Sequence, residues 1–146
     1  MKITNRKAFH DYHILEFLEV GIELTGAEVK SVRLGRVELG QSFARIINGE
    51  IFLINVNIPV YLGVDPKTYA PTRSRKLLLH RSQIDSLIGK TSSQGITLVP
   101  VSLYDKNNLI KLQLGLGKSK KVFDKRKVIK ERDHLRRVQQ ELRGKE

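Results

Sequence analysis

The sequence predicts a mainly β fold, a small antiparallel barrel with two or three short flanking helices and a basic C-terminal tail. Five or six stretches of the 146 residues have the composition or apolar alternation of short strands, which is enough for one sheet. Closing that sheet into a barrel hides its exposed edges. Basic residues crowd the end of the chain, where residues 118–146 hold 12 Lys and Arg against 5 Asp and Glu.

The first predicted elements are a strand and a helix. Residues 12–20 mix apolar and acidic side chains as a long strand does, and Gly21 predicts a bend or bulge after it. Thr25 and Glu28 have the spacing of a capping box, in which each side chain bonds the backbone N–H of the other residue. A short helix over residues 27–34 is therefore expected.

A β-hairpin and a long loop follow. Residues 42–47 and 50–56 are rich in β-forming side chains, and Asn48-Gly49 between them tolerates the positive φ angles of a tight turn. Proline and glycine then punctuate a loop of about a dozen residues, which is long for a compact domain. Basic residues after the loop lead into the apolar triplet 77–79.

A second helix and two more strands complete the predicted domain. Ser82 is the expected N-cap of a helix over residues 83–87, which Gly89 ends. In residues 96–103 and 109–116, apolar and polar side chains alternate as in strands with one apolar and one solvent-facing side. The polar segment 104–108 joins the two strands.

Composition excludes several classes of protein. The chain has no cysteine, so disulfides, thiolate zinc sites and a cysteine nucleophile are all ruled out. Its first residues lead into no apolar segment, and no apolar run approaches the roughly 20 residues that span a bilayer. We therefore expect a protein of the cytoplasm that does not contact a membrane.

Patterns for catalysis and metal binding are weak. His10 and His13 would lie on opposite faces of a strand, with no compact third ligand. Glu16, Glu19 and Glu23 are spread along one stretch and are typical of a solvated face rather than an acid–base pair. No phosphate-binding glycine loop or nucleophile elbow is present. We expect no enzymatic activity, no metal and no cofactor.

The positive charge predicts a polyanionic partner. The formal charge is +12, of which the tail contributes 12 − 5 = +7 and residues 1–117 the remaining +5. Nucleic acid is the expected polyanion, because neutralising phosphates releases condensed counterions. Tyr12, Phe43, Phe52 and Tyr104 offer stacking platforms for bases, although the core needs most of these aromatic rings. The basic clusters of the domain are Arg6 and Lys7, then Lys30, Arg33 and Arg36, then Arg73, Arg75 and Lys76.

Residues 118–146 are predicted to be a tail separate from the barrel domain of residues 1–117. Apolar content falls after Gly117, and Leu135, Val138 and Leu142 form only a narrow helical stripe among charged residues. A helix of this kind is marginal in isolation. We therefore expect the tail to be disordered when free and to become helical when it binds.

Several motifs, taken in order, resemble the SsrA-binding protein family, also called small protein B. The longest is Leu-Thr-Gly-Ala-Glu-Val-Lys-Ser-Val-Arg at residues 24–33. The others include residues 5–8 (Asn-Arg-Lys-Ala), residues 73–79 (Arg-x-Arg-Lys-Leu-Leu-Leu), and, in the tail, residues 120–121 (Lys-Lys) with 124–126 (Asp-Lys-Arg). The resemblance covers essentially the full chain, and the combination is highly specific although no single motif is.

The resemblance implies an oligonucleotide-binding-type barrel that binds the tRNA-like domain of transfer-messenger RNA around its elbow. It implies a monomer that delivers this RNA to ribosomes stalled on messages without a stop codon, for trans-translation. The tail would enter the empty mRNA channel, fold near the decoding centre and report that no message is present.

The resemblance also assigns roles to residues. Asn5, Glu19 and Leu79 match positions implicated in gripping the RNA. Because an acid cannot contact a phosphate, Glu19 would accept hydrogen bonds from a base edge or a 2′-hydroxyl, or orient a neighbouring cation. Ser119 stands where glycine is expected, which would stiffen the hinge to the tail. The residues expected at the ribosome are Lys118, Lys120, Lys121, Phe123, Asp124, Lys125, Arg126, Lys127 and Lys130, with Phe123 placed to stack on a base.

Two other functions remain open on the sequence. A ribosomal or single-strand-binding barrel protein would carry similar charge and would bind rRNA or any unpaired strand. A magnesium-dependent nuclease would use Asp11, Glu16 and Glu19.

Overall fold

The computed structural model describes residues 1–61, 63, 65, 67–92, 95–120 and 136. Within this part of the chain, no helix has the length and apolar character needed to cross a membrane. The elements in chain order are β1 (Lys2–Thr4), α1 (Arg6–Asp11), β2 (Tyr12–Ile22), α2 (Gly26–Arg33), β3 (Phe43–Ile47), β4 (Glu50–Ile54), β5 (Arg75–Leu78), α3 (Arg81–Thr91), β6 (Ile96–Lys106) and β7 (Leu109–Ser119).

The strands form one antiparallel sheet that closes on itself. Its order is β1-β6-β3-β4-β5-β2-β7, and β7 also pairs with β6, so β2 to β7 form a ring to which β1 is added. β6 and β7 pair from Ile96 opposite Lys118 to Lys106 opposite Leu109. In contrast, β3 pairs with β6 only at Ala44 and Leu98. The predicted antiparallel barrel with flanking helices is confirmed.

Apolar side chains fill the ring. Leu112 and Leu114 of β7 are fully buried, and they belong to one cluster with Val32 of α2 and with Ile84 and Leu87 of α3. Burying a side chain of this size contributes about 1.5–3 kcal/mol relative to leaving it exposed. The two longer helices therefore close the same core that the strands surround.

A second, smaller apolar layer lies outside the ring, where α1 packs on β6. Ala8 of α1 and Val99 and Val101 of β6 are buried there, apart from the main cluster. Gly115 of β7 permits the close packing, because an added Cβ would lie 2.8 Å from Val101 Cγ2 and 3.0 Å from Ile14 Cγ2.

Replacing Gly115 by alanine should lower the free energy of unfolding by about 1–3 kcal/mol, because the added methyl group overpacks this layer. Urea denaturation of both chains measures the change. Gly89 is the matched control, since it lies within α3 and an added Cβ would meet no atom within 4 Å. Gly89→Ala should stabilise the protein by about 0.5–1 kcal/mol. Equal effects of the two substitutions would contradict the close packing at Gly115.

Local sequence signals located two elements correctly. The capping box begins α2: Glu28 N–H donates to Thr25 Oγ1 at 3.3 Å, and Thr25 N–H donates to Glu28 Oε1 at 2.9 Å. The β3–β4 hairpin turns at Asn48 and Gly49, whose φ angles are 51° and 77°. Both predictions are confirmed, and both depend only on residues close in sequence.

The prediction of a bend at Gly21 is wrong. β2 continues through Gly21 to Ile22, and its register shift lies between Ile14 and Glu16. Gly21 instead lets β5 come close, because an added Cβ would lie 3.1 Å from Leu78 Cβ.

Other boundaries also differ from the prediction. α3 begins at Arg81, after His80, whose N–H donates to Gln83 Oε1 at 3.0 Å. The helix then runs through Gly89, because an exposed glycine weakens a helix without ending it. β6 extends to Lys106 and turns tightly at residues 107–108, both asparagines with positive φ angles. β1 and α1 were not predicted at all.

Candidate nucleic-acid interface

An acidic residue, Glu19 of β2, is the centre of a polar surface on the outside of the barrel. Tyr104 Oη donates a hydrogen bond to Glu19 Oε2 at 2.5 Å. Lys106 Nζ donates to both carboxylate oxygens, at 3.1 Å to Oε1 and 3.3 Å to Oε2. The side chains of Glu19 and Lys106 are 39% and 55% exposed, so a ligand can reach the group from solvent.

Strand register brings these side chains together. Glu19 lies opposite Gln113 of β7, and Tyr104 of β6 lies opposite Lys111 of β7. Ser102 Oγ of β6 donates to Gln113 Oε1 at 3.3 Å. Alternate residues of neighbouring strands share one face of a sheet, so these polar groups form a continuous patch. We call Glu19, Tyr104, Lys106, Lys111 and Gln113 the Glu19 surface, and Ser102 is buried beneath it.

The hydrogen bonds fix the charge states of the Glu19 surface. The bond from Tyr104, and then that from Lys106, holds the pKa of the Glu19 carboxyl below its ordinary value. Burial, followed by the bond to Glu19, raises the pKa of Tyr104 to about 12. At neutral pH the surface therefore presents a carboxylate beside a phenol that keeps its proton. A carboxylate of this kind accepts hydrogen bonds from base edges and 2′-hydroxyls, which are characteristic donors of RNA.

The end of α2 adds cations next to this surface. Arg33 Nη2 donates to the carbonyl oxygen of Asn108 at 3.1 Å, which joins the helix to the β6–β7 turn. The Arg33 side chain remains 50% exposed. Lys30 and Arg36 are also exposed, and Lys30 Nζ lies 5.5 Å from the centre of the Tyr61 ring. The basic cluster predicted on α2 is therefore available to phosphates.

The predicted RNA residue Asn5 is buried, with only 5% of its surface exposed. Its Nδ2 group donates to the carbonyl oxygens of Leu39 at 3.3 Å and Pro100 at 2.8 Å. These bonds tie the start of α1 to β6 and to the segment before β3. The next two residues of the predicted cluster, Arg6 and Lys7, are exposed on α1.

Another member of the predicted RNA set, Arg75, is fully buried at 0% exposure. Its Nε donates to Glu28 Oε2 at 2.6 Å, and its Nη1 donates to the carbonyl oxygens of Val56, Pro71 and Arg73. In this position Arg75 cannot touch RNA, so its predicted direct contact needs correction. An arginine so enclosed holds the loop before β5 in place.

Glu28 is the counter-charge for two arginines. Arg73 Nη2 donates to Glu28 Oε1 at 2.5 Å, and Arg75 forms an ion pair with Oε2. Burial raises the pKa of the Glu28 carboxyl, but the hydrogen bonds from Thr25, Arg73 and Arg75 outweigh it, so the pKa lies below its ordinary value. Arg73 keeps 38% of its side chain exposed and could still meet a phosphate.

The remaining predicted RNA residues of the barrel lie at β5. Lys76 Nζ donates to Glu50 Oε1 at 3.1 Å, and both side chains are exposed by more than a third. Leu79, directly after β5, is partly buried against the main core. Because Leu78 pairs with Gly21 of β2, this end of β5 lies along the strand that carries Glu19.

The described part of the predicted tail continues the barrel. Lys118 lies in β7 opposite His13 and Ile96, and Ser119 lies opposite Tyr12. The strand thus passes the predicted boundary at 117, and the hinge expected at Ser119 is replaced by strand pairing. Lys120 Nζ donates to the carbonyl oxygen of Phe9 at 2.9 Å. The predicted tail residues Lys121, Phe123, Asp124, Lys125, Arg126, Lys127 and Lys130 and the stripe of Leu135, Val138 and Leu142 lie outside the described residues.

Sequence reasoning found Glu19 but missed the residues around it. The sequence places Lys106 in the predicted connection 104–108, and Lys111 and Gln113 at solvent-facing positions of the last predicted strand. The clean alternation of β7 placed Lys111 and Gln113 on its outer face, but only the β2–β7 register shows that they face Glu19. The sequence suggests Tyr104 as a stacking platform for a base, whereas in the structure its hydroxyl donates a hydrogen bond to Glu19.

The carboxylates of the nuclease alternative have separate partners. Asp11 Oδ1 lies 2.9 Å from His10 Nδ1, Glu16 accepts a bond from Lys90 at 3.0 Å, and Glu19 binds Tyr104 and Lys106. Within the part of the chain that the structure describes, no group of three His, Cys, Asp or Glu residues is arranged to hold a metal ion. This arrangement gives the nuclease alternative no support.

Comparisons with known proteins identify the family of the chain. The SsrA-binding protein of Carboxydothermus hydrogenoformans is 53% identical over 140 residues, covering 96% of this chain and 94% of its own. That of Thermosipho melanesiensis is 48% identical over 147 residues, covering 99% and 100%. A solved structure described as "tmRNA-SmpB: a journey to the center of the bacterial ribosome" has a TM-score of 0.69 and 44% identity, covering 82% of this chain and 84% of that one. The model of the SmpB protein family matches residues 2–144, and the chain belongs to that family.

Proposed function

We propose that the protein is a non-enzymatic adaptor that binds the tRNA-like domain of transfer-messenger RNA and delivers it to stalled ribosomes for trans-translation. The observation that carries the proposal is the Glu19 surface, an ionised acceptor held by Tyr104 and Lys106 and flanked by exposed cations. The names of the relatives and of the solved tmRNA complex support the choice of RNA and of the ribosome as partners. Work on the ribosome would place the protein in the cytoplasm.

The barrel supplies the first of two functional surfaces. Glu19 accepts hydrogen bonds from nucleotide donors, while Lys106, Lys111 and Arg33 bring positive charge to nearby phosphates. A surface of this composition recognises folded RNA by its shape and its 2′-hydroxyls more than by base sequence. Arg6 and Lys7 on α1, and Arg73 and Lys76 near β5, extend the positive charge around the barrel. Asn5 and Arg75 support the surface from inside.

The tail supplies the second functional surface. It enters the empty mRNA channel, where its lysines and arginines meet rRNA phosphates and its apolar stripe becomes one face of a helix. Because the tail leaves from the end of β7, binding of RNA by the barrel brings it to the ribosome.

A competition experiment tests the proposed function. The tRNA-like domain is bound to the full chain in a gel shift, with excess unstructured RNA and at several salt concentrations. Tight binding that survives the competitor supports recognition of folded RNA. Binding that any RNA removes, with a steep salt dependence, would instead favour the general RNA-binding barrel protein.

Replacing Glu19 by alanine should weaken binding of the tRNA-like domain by about tenfold or more, because hydrogen bonds to a charged group contribute about 1.5–3 kcal/mol. The thermal midpoint should hardly change, since the side chain is exposed. Gel shifts and a melting curve on the same preparation measure both effects. Glu23→Ala is the matched control, because Glu23 is an exposed carboxylate just beyond β2 and should leave binding unchanged. If the melting curve showed that Glu19→Ala loses its fold together with its RNA binding, the role of Glu19 as an RNA contact would be contradicted.

A further inference from the structure

An exposed aromatic ring lies beside Glu19 on the outside of the barrel. Phe17 precedes Glu19 by two residues in β2 and is 51% exposed. Single exposed apolar residues are common on protein surfaces and need no explanation by themselves. The position of Phe17 relative to the Glu19 surface, rather than its exposure alone, indicates a use for the ring.

The strand register places Phe17 on the same face of the sheet as Glu19. Beyond the register shift of β2, Phe17 lies opposite Gly115 of β7, and Glu19 lies opposite Gln113. Leu18, between them, packs against the main core. Alternate residues of a strand point to one face, and each residue adds about 3.3 Å, so Phe17 and Glu19 both project outward roughly 7 Å apart.

The surroundings of Phe17 leave its ring accessible to a ligand. Gly115, which lies opposite, has no side chain that could cover the ring. Towards α3, Phe17 borders a cavity of about 220 Å³ together with Glu16 and Lys90. Lys90 Nζ donates to Glu16 Oε1 at 3.0 Å, so this carboxylate, like that of Glu19, is bonded to a lysine. An RNA strand that approaches the ring therefore meets no uncompensated carboxylate at these two residues.

A flat apolar ring beside a hydrogen-bond acceptor matches two parts of one nucleotide. Unpaired bases of folded RNA stack on aromatic side chains, and the ribose 2′-hydroxyl donates hydrogen bonds to acceptors. The neighbouring exposed residue Leu15, at 59%, has neither feature. It has no flat ring, and it falls within the register shift, where no residue of β7 pairs with it.

We propose that Phe17 stacks on one base of the bound RNA while the 2′-hydroxyl of the same nucleotide donates to Glu19. This inference rests on the proposed function for the RNA that brings the nucleotide. It adds an aromatic contact that neither the charge pattern nor the family resemblance indicates. Because stacking neutralises no phosphate, the contact contributes to binding equally at low and high salt.

Gel shifts with the tRNA-like domain of transfer-messenger RNA test the stacking. Phe17→Ala should weaken binding by about tenfold, and by the same factor at every salt concentration. Phe17→Trp should retain binding, whereas Phe17→Leu, which stays apolar but has no ring, should lose most of what Phe17→Ala loses. Leu15→Ala is the matched control and should bind as the unaltered chain does. Melting curves establish that each variant is folded.

Fluorescence gives a direct readout of the stacked base. The chain contains no tryptophan, so the indole introduced by Phe17→Trp is the only one present. Its emission should be quenched when the tRNA-like domain binds, and that of the control Leu15→Trp should change little. A double variant, Phe17→Ala with Glu19→Ala, tests the shared nucleotide. Its loss of affinity should be smaller than the product of the two single losses, because both residues hold the same nucleotide.

Four results would overturn the proposal: unchanged binding by Phe17→Ala, unchanged binding by Phe17→Leu, an indole emission in Phe17→Trp that does not respond to the RNA, or single losses that multiply in the double variant. An unaltered chain that does not bind the tRNA-like domain selectively would overturn the proposed function and this inference with it. If the unaltered chain binds and Phe17→Ala binds equally well, only this inference fails.

Discussion

Removing residues 121–146 should abolish rescue of stalled ribosomes while leaving binding of the tRNA-like domain nearly intact. The removed segment carries 10 Lys and Arg against 5 Asp and Glu, which is a net charge of +5. It contains seven of the nine residues expected at the ribosome, all except Lys118 and Lys120, whereas the Glu19 surface lies wholly on the barrel. Gel shifts measure the binding, and addition of the peptide tag in a reconstituted translation system measures the rescue.

The cut after Lys120 is chosen from the structure. It keeps β7 complete to Ser119 and retains the bond from Lys120 Nζ to the carbonyl oxygen of Phe9. A chain with residues 121–146 in shuffled order is the matched control, because it keeps the charge and loses the pattern. The two-surface model would be wrong if the truncated chain still supported tagging.

Replacing Glu28 by glutamine should lower the free energy of unfolding by about 3–5 kcal/mol, because it leaves a buried arginine without its counter-charge. Arg75 is fully buried and Arg73 is partly so, and each donates to one oxygen of this carboxylate, Arg73 to Oε1 and Arg75 to Oε2. Urea denaturation measures the loss. Glu50→Gln is the matched control, since its ion pair with Lys76 is exposed and should contribute no more than about 1 kcal/mol.

The same carboxylate should make stability depend on acid. The folded pKa of Glu28 lies below its ordinary value, so its contribution is complete above the unfolded pKa and disappears as the pH falls through the folded one. Urea denaturation at a series of pH values should therefore show that, as the pH falls from neutral, the free energy of unfolding decreases less steeply for Glu28→Gln than for the unaltered chain. An equal acid dependence in the two chains would remove Glu28 from this role.

The sequence was enough to place elements whose signals are local. Asn48-Gly49 and the Thr25–Glu28 capping box act within a few residues, so composition alone located a hairpin and a helix. β1 was not predicted, because its three residues, Lys2–Thr4, form a strand only by pairing with Ser102 to Tyr104 of β6. A pairing across such a distance leaves no periodicity in so short a segment.

In the candidate site, too, the sequence identifies some residues, whereas only the fold brings the others together. Glu19 came from the family resemblance, but its partners came from the register of strands that are far apart in sequence. Arg75 was assigned to RNA because a basic residue after a loop is typical of a surface cation. Its burial depends on Glu28, which precedes it by 47 positions, and on three backbone carbonyls. No local pattern distinguishes it from Arg73.

Strand β7 is common to both proposed surfaces, and this has a mechanical consequence. Gln113 belongs to the Glu19 surface, and Ser119 ends the same strand. At about 3.3 Å per residue, the strand fixes the origin of the tail roughly 20 Å from the RNA-binding centre. A chain leaving from a paired strand has a set starting direction as well as a set distance. The barrel would thus act as a rigid spacer, and the position of the bound RNA would determine where the tail begins its search for the channel.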